Sequence, residues 1–124
     1  MEKSEYFYRT AVYTERNGQV ALADINAPER TTPLEPWFGL VIQLADGQHT
    51  LDELMQLLTQ RYQGNPPDNL EETVSSVIER LVEGKLLALS NQSVELPYYL
   101  SLPIEHLDID KAKDHMNKDG LTPN

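Results

Sequence analysis

The sequence predicts an α+β fold in which a small antiparallel β-sheet packs on three helices. Three observations carry that prediction. Asn17-Gly18 sits between two strand-favouring runs, and this pair is the strongest short hairpin signal because both central positions of a type I′ turn need φ > 0. From Trp37 to Leu81, apolar residues recur at helical spacing in three blocks, separated by Asp46-Gly47 and by Gly64-Asn65-Pro66-Pro67. Gly84 then precedes Leu86-Leu87-Ala88-Leu89, an apolar run of strand length. At 124 residues the chain is long enough for one core.

Taken in order, Glu5 to Ile25 reads as a hairpin. With Arg16 and Gln19 flanking the turn, Tyr13 pairs with Leu22 and Ala11 with Asp24, so Val20, Leu22, Tyr13 and Phe7 share one face. Asn26 to Leu34 is a connection that ends in a short third strand. Thr32 and Glu35 fit a capping box with Pro33 at the first helical position, and Trp37, Leu40, Val41 and Leu44 form the buried stripe of the first helix. Asp46-Gly47 ends it. Thr50-Leu51-Asp52-Glu53 opens the second helix with another capping box, and its apolar face is Leu51, Leu54, Met55, Leu58 and Tyr62. The third helix starts near Asp68 or Asn69 with acids in its first turn. It buries Leu70, Val74, Val77, Ile78 and Leu81, and Gly84 stands as its C′ residue. Leu86–Leu89 and Val94–Leu96 then form a terminal hairpin around Asn91-Gln92-Ser93, which completes a winged helix. After Pro97 the pattern weakens. Residues 97–124 are expected to be a C-terminal extension, partly disordered, with the polar run from Leu107 frayed.

Composition excludes several classes of function. Ten basic residues against twenty acidic ones give a formal charge of −10. That balance opposes nucleic acid and anionic membrane, since phosphate binding needs clustered Lys and Arg. The chain has no cysteine, so disulfides, thiolate metal sites and a cysteine nucleophile are absent. The N-terminal residues lack the basic-then-apolar pattern of a signal peptide, and no apolar run approaches the roughly 20 residues of a membrane span. A cytoplasmic protein is the expectation.

No residue set supports catalysis, and no cofactor is implied. His49, His106 and His115 have no second ligand at metal spacing and read as solvated. No serine lies in a nucleophile elbow, and neither GxGxxG nor a P-loop occurs. Asn117, Asp119 and Gly120 imitate the middle of an EF-hand loop, but the twelfth position would fall past Asn124. The third helix of a winged helix often reads DNA. Here it carries Glu71, Glu72, Glu79 and Glu83 against Arg80 alone, which repels phosphate. Tyr6, Tyr8, Tyr98 and Tyr99 fit a peptide-binding patch or ordinary strand packing.

The run from Gly18 to Leu89 resembles the PqqD-like domain, also called the RiPP recognition element. The matching pieces are Gln19-Val20-Ala21-Leu22, the run from Leu40 to Gly47, His49 to Leu54, and Val77 to Leu87. Their signature is apolar–apolar–x–Leu–x–Asp-Gly–x–x–Thr–apolar–x–Glu–Leu. The resemblance makes residues 1–96 the PqqD-like winged-helix domain. It implies a non-catalytic protein that binds the leader of a ribosomally made precursor peptide and presents it to a modifying enzyme, often a radical SAM protein. In that family the leader adds as a strand to the sheet edge and lies against the third helix. Carried onto this chain, the peptide-binding residues are Arg30, Thr31, Thr32 and Leu34 on the edge, with Thr73, Val74, Val77 and Arg80 on the helix wall. Two other readings stand beside it: an acidic winged-helix regulatory subunit that docks on an enzyme without touching a leader, and a DNA-binding regulator.

Overall fold

A computed structural model describes residues 2–120. Six strands and five helices follow one another: β1 (Tyr6–Arg9), β2 (Tyr13–Arg16), β3 (Gln19–Asp24), β4 (Ala27–Pro33), α1 (Pro36–Leu44), β5 (Asp46–Thr50), α2 (Leu51–Arg61), α3 (Leu70–Glu83), β6 (Leu87–Ser90), α4 (Tyr98–Ser101) and α5 (Ile109–Lys118). A 3₁₀ turn, Ile104–His106, lies between α4 and α5. The strands make two antiparallel three-stranded sheets, ordered β2-β3-β4 and β5-β1-β6. The α+β class is therefore as expected, with two sheets in place of one.

The β2–β3 hairpin has the expected register, Tyr13 opposite Leu22 and Arg16 opposite Gln19. Asn17 and Gly18 supply φ of 54° and 81°, the two left-handed positions its turn needs. Upstream the register departs from expectation, because β2 starts at Tyr13 and Ala11 pairs with nothing in the ladder. β1 leaves the hairpin and becomes the central strand of the other sheet, with Phe7 opposite Leu89 and Tyr8 opposite Ala88. Phe7 thus shares the main core with Tyr13 and Val20 but not their sheet face.

The helices follow their stripes with local corrections. Pro36, not Pro33, opens α1, and Glu35 caps it without a side-chain bond, because β4 carries the extended backbone through Pro33. Val41 and Ile42 are its deepest side chains, and Trp37, Leu40 and Leu44 are half-buried beside them. Gly39 faces Val20 so closely that a Cβ there would lie 2.8 Å from the Val20 Cβ. The missing side chain is what lets the hairpin sit on α1. The Thr50–Glu53 capping box forms on α2 as predicted, with the Glu53 N–H donating to Thr50 Oγ1 at 3.2 Å and the Thr50 N–H to Glu53 Oε1 at 3.0 Å. Leu51, Leu54 and Leu58 are buried, whereas Tyr62 lies past the helix and is exposed. On α3 all five stripe residues are buried. Its terminus differs: Gly84 is right-handed, and Lys85 takes the positive φ of 61°.

Two corrections concern backbone pairing. Asp46–Thr50, expected only as the end of the first helix and the loop and cap before the second, is β5, paired to β1. Val94–Leu96, expected as the returning strand of a wing, forms no strand, and β6 pairs with β1 instead. The Val94 N–H donates to the Gly47 carbonyl at 2.8 Å, so this segment lies along β5. Gly47 is required there, since a Cβ would sit 2.3 Å from the Val94 carbonyl oxygen.

Of the run from Leu107 to Asn124, expected to fray, Ile109–Lys118 is helical, and residues 121–124 lie outside the described residues. Asp108 caps α5 through the Lys111 N–H at 3.2 Å. A second apolar cluster explains its order: Tyr99, Leu100, Ile104, Leu107 and Ala112 pack with Ile25 and, less completely, with Val12 and Ala23. Those last residues belong to the face of the hairpin sheet opposite Tyr13 and Val20. The extension therefore covers one face of that sheet while the helices cover the other.

Candidate functional site: an open strand edge

β4 is the outer strand of the hairpin sheet. It pairs with β3 through Ala21–Pro33, Leu22–Thr32 and Ala23–Thr31, then through Asp24–Ala27 after a shift in register. Glu29 to Pro33 are all exposed. The Leu34 N–H donates to the Val20 carbonyl at 3.1 Å, which fixes the alternation of the ladder. Leu34 and Thr32 face inward to β3, so the backbone groups of Thr31 and Pro33 face outward. Thr31 offers an N–H and a carbonyl to an incoming strand. Pro33 offers its carbonyl alone. Arg30, Thr31 and Thr32 line a shallow cavity of about 480 Å³ with Leu22, Ala23, Asp24 and Glu29.

The structure brings the predicted edge residues together but not the whole predicted set. Arg30, Thr31 and Thr32 lie on one exposed run, and Leu34, half-buried, turns into the main core. On α3, Val74 and Val77 are core residues whose side chains are closed to a ligand, at 0% and 5% exposure. Their burial follows from the same i, i+3, i+4 spacing that forms the helix stripe. Thr73 is half-buried and Arg80 exposed. α3 packs on α1 and β6, while β4 packs on β3, and α3 does not line the cavity along β4.

At the other side of the same sheet, β2 is covered. Glu105, in the 3₁₀ turn, accepts the Thr14 hydroxyl, the Glu15 backbone N–H at 3.1 Å and Arg16 Nε at 3.1 Å. Burial by itself raises its pKa, but these hydrogen bonds outweigh it and hold the carboxyl down at about 2. Arg9 anchors the extension further in. Its side chain, 3% exposed, donates to the carbonyls of Leu100 at 2.7 Å and Ser101 at 3.0 Å, and to Ile42, Gln43 and Ala45 at the end of α1. Its guanidinium also lies 4.7 Å from the centre of the Tyr13 ring. Burial lowers the Arg9 pKa, against the attraction of Tyr13 and Asp46. Five carbonyls do the work of a counter-ion.

Sequence reasoning missed both anchors. Arg9 ends the run Tyr6-Phe7-Tyr8-Arg9, where a cation beside three aromatics was the available signal. Glu105 has no local signal, as its partners are about 90 positions away. The tyrosines read as a possible patch are half-buried at Tyr6, Tyr8 and Tyr98 and buried at Tyr99, whose hydroxyl donates to Asp119 at 2.9 Å. His49 Nδ1 lies 3.0 Å from Asp46, and among the described residues no group of three His, Cys, Asp or Glu could hold a metal. No described helix is long and apolar enough to cross a membrane.

The sequence profile described as Coenzyme PQQ synthesis protein D (PqqD) matches residues 28–87. Those residues are a PqqD family domain. The family, that of the RiPP recognition element, is one of peptide-binding chaperones. The match starts in β4, runs through the three helices and ends at the first residue of β6. The PqqD domain thus includes the open edge. It leaves out β1 to β3 and the extension, so Gln19 to Leu22 lie outside the match although they were read as part of the resemblance. No curated protein and no solved structure matches the chain.

Proposed function

We propose that this protein is a non-catalytic accessory protein that binds an extended peptide by adding it as a strand along the outer edge of β4. The observation that carries this reading is an exposed strand from Arg30 to Pro33 whose Thr31 and Pro33 backbone groups face outward, within a PqqD domain. An unpaired strand offers regularly spaced donors and acceptors, so main-chain bonds supply affinity and neighbouring side chains supply selectivity. The edge lies beside Arg30, Thr31, Thr32 and Leu34. From α3, Thr73 and Arg80 have surface to offer, and Val74 and Val77 act from beneath by holding the helix in place. The ligand is the leader of a precursor peptide, presented to a modifying enzyme such as a radical SAM protein.

Titration of the ¹⁵N-labelled chain with precursor leader peptides tests this reading. The expected result is amide shifts concentrated at Arg30 to Leu34, with smaller ones near Thr73 and Arg80. Shifts confined to the extension, or binding unaltered by blocking β4, would overturn it.

A further inference from the structure

Helix α2 carries Glu53, Leu57 and Arg61 at i, i+4 and i+8, a single stripe on its outer side. All three are exposed, and Leu57 is 36% exposed although apolar. Beside this stripe a trough separates α1 from α2. One end is a cavity of about 330 Å³ floored by Leu44, Leu54 and Leu57, with Asp46 and Glu53 on its lip. The other end is a cavity of about 220 Å³ floored by Trp37, Leu40 and Leu58, with Arg61 on its lip. A third cavity joins the two through Leu40, Gln43 and Arg61. The trough is therefore apolar at its two ends, with acids on the lip of one and a cation on the lip of the other, and polar between them where Gln19, Gln43 and Arg61 line it. Among the described residues neither Glu53 nor Arg61 forms an ion pair.

We propose that this face docks a second copy of the chain, with the two α2 helices antiparallel about a two-fold axis at Leu57. Leu57 is the midpoint of the stripe, four residues from each charge. The axis sets Leu57 against Leu57 and places Glu53 of each copy opposite Arg61 of the other, so the interface holds two Glu53–Arg61 pairs. A parallel arrangement would set Glu53 on Glu53 and Arg61 on Arg61. A foreign helix would need no particular order of charge, whereas acid, apolar, cation at equal spacing is complementary to its own reverse. Each α2 then lies over the trough of the other copy and covers Leu40 and Leu44. The formal charge of −10 on each copy opposes association, which leaves the two local pairs to set its orientation. Arg30, Thr31 and Thr32 line none of these cavities; of the candidate edge residues only Leu34 reaches one, the connecting cavity, and it touches neither of the cavities beside Leu57 and Leu58. The proposal therefore stands or falls apart from peptide binding.

Sedimentation of the full chain tests it, at concentrations up to about 0.5 mM, where a micromolar dimer is populated. The wild type is expected to dimerise with concentration. Glu53→Lys alone sets Lys against Arg61, and Arg61→Glu alone sets Glu against Glu53. Each is expected to raise the dimer Kd by about tenfold or more. An equimolar mixture of the two variants restores both pairs and should dimerise again. A wild type that stays monomeric overturns the proposal. So does a dimer that survives either substitution, or a mixture that fails to associate while both variants keep their helical circular dichroism. Should Glu53→Lys unfold through loss of its cap, Leu57→Lys replaces it by setting two cations at the axis, and a dimer that survives that change overturns the proposal equally.

Discussion

Along β2, the outermost backbone of the hairpin sheet meets the chain's own extension, and Glu105 takes the Glu15 N–H that would otherwise be open to a foreign strand. Along β4, on the far side of the same sheet, Arg30 to Pro33 are exposed and the backbone groups of Thr31 and Pro33 face outward. Strand edges are templates for pairing, and a protein that binds by strand addition must offer one without inviting pairing on the other. The chain closes β2 with a side chain instead of a strand. One carboxylate, placed by a 3₁₀ turn, satisfies a backbone donor, a hydroxyl and an arginine together. That placement depends on Arg9, which ties the carbonyls of Leu100 and Ser101 to the end of α1. β5 is closed in a third way, by the Val94 N–H on the Gly47 carbonyl.

Arg9→Met should break this comparison most severely. It removes the cation that five carbonyls share, of which only Ile42 and Ala45 keep a backbone donor outside the regular helices and strands, and a cost of about 3 kcal/mol or more is expected in urea unfolding. Hydrogen exchange would show the Glu15 amide losing protection as the extension detaches, with the β4 amides little changed. Equal protection at Glu15 in the variant would mean that the extension holds without its anchor.

A smaller effect is expected from Thr31→Pro, which removes the outward N–H of β4 and leaves the inward ladder to β3 in place. Calorimetric titration with a bound leader peptide should show affinity falling by about tenfold, roughly 1.4 kcal/mol, with the melting temperature nearly unchanged. Unchanged affinity would move the peptide away from this edge.

Glu105→Gln should have the smallest effect and sharpens the comparison through pH. The folded carboxyl is held below the ordinary value of 4.5, at about 2. Its contribution is therefore complete above pH 4.5 and is lost as pH falls from there towards 2. Because the side chain is partly exposed, that contribution is about 1 kcal/mol rather than the full value of the shift. The wild type should lose this much stability across that window, and the Gln variant should start lower and lose less. Parallel acid profiles would mean that the Glu105 contacts do not hold the β2 edge.

The parts of this fold that were legible in the sequence are those governed by neighbours along the chain. The stripe Leu70, Val74, Val77, Ile78 and Leu81, the Thr50–Glu53 capping box and the Asn17-Gly18 turn each depend on spacings of a few residues, and each formed as read. The candidate edge was legible for the same reason, since Arg30 to Leu34 follow a hairpin of fixed register. Its helical wall was legible only as far as Thr73 and Arg80. Val74 and Val77 were assigned to a ligand although their own periodicity marked them as core.

Tertiary structure alone decided which strand pairs with which, and what the extension does. Asp46-Gly47-Gln48-His49-Thr50 carries no strand pattern, yet it is β5 because β1 runs beside it and needs backbone partners. Val94 to Leu96 has the composition of a strand and forms none, because β1 has already taken β6. The run from Leu107 looked too polar to order, and its described part through residue 120 orders because Tyr99, Leu100, Ile104 and Leu107 find Ile25 waiting on the uncovered face of the hairpin. A backbone hydrogen bond is indifferent to side-chain identity, and burial depends on what arrives from elsewhere in the chain. Local pattern thus sets which segments become helix or turn, and the packing of distant segments sets which edge is closed and which remains open.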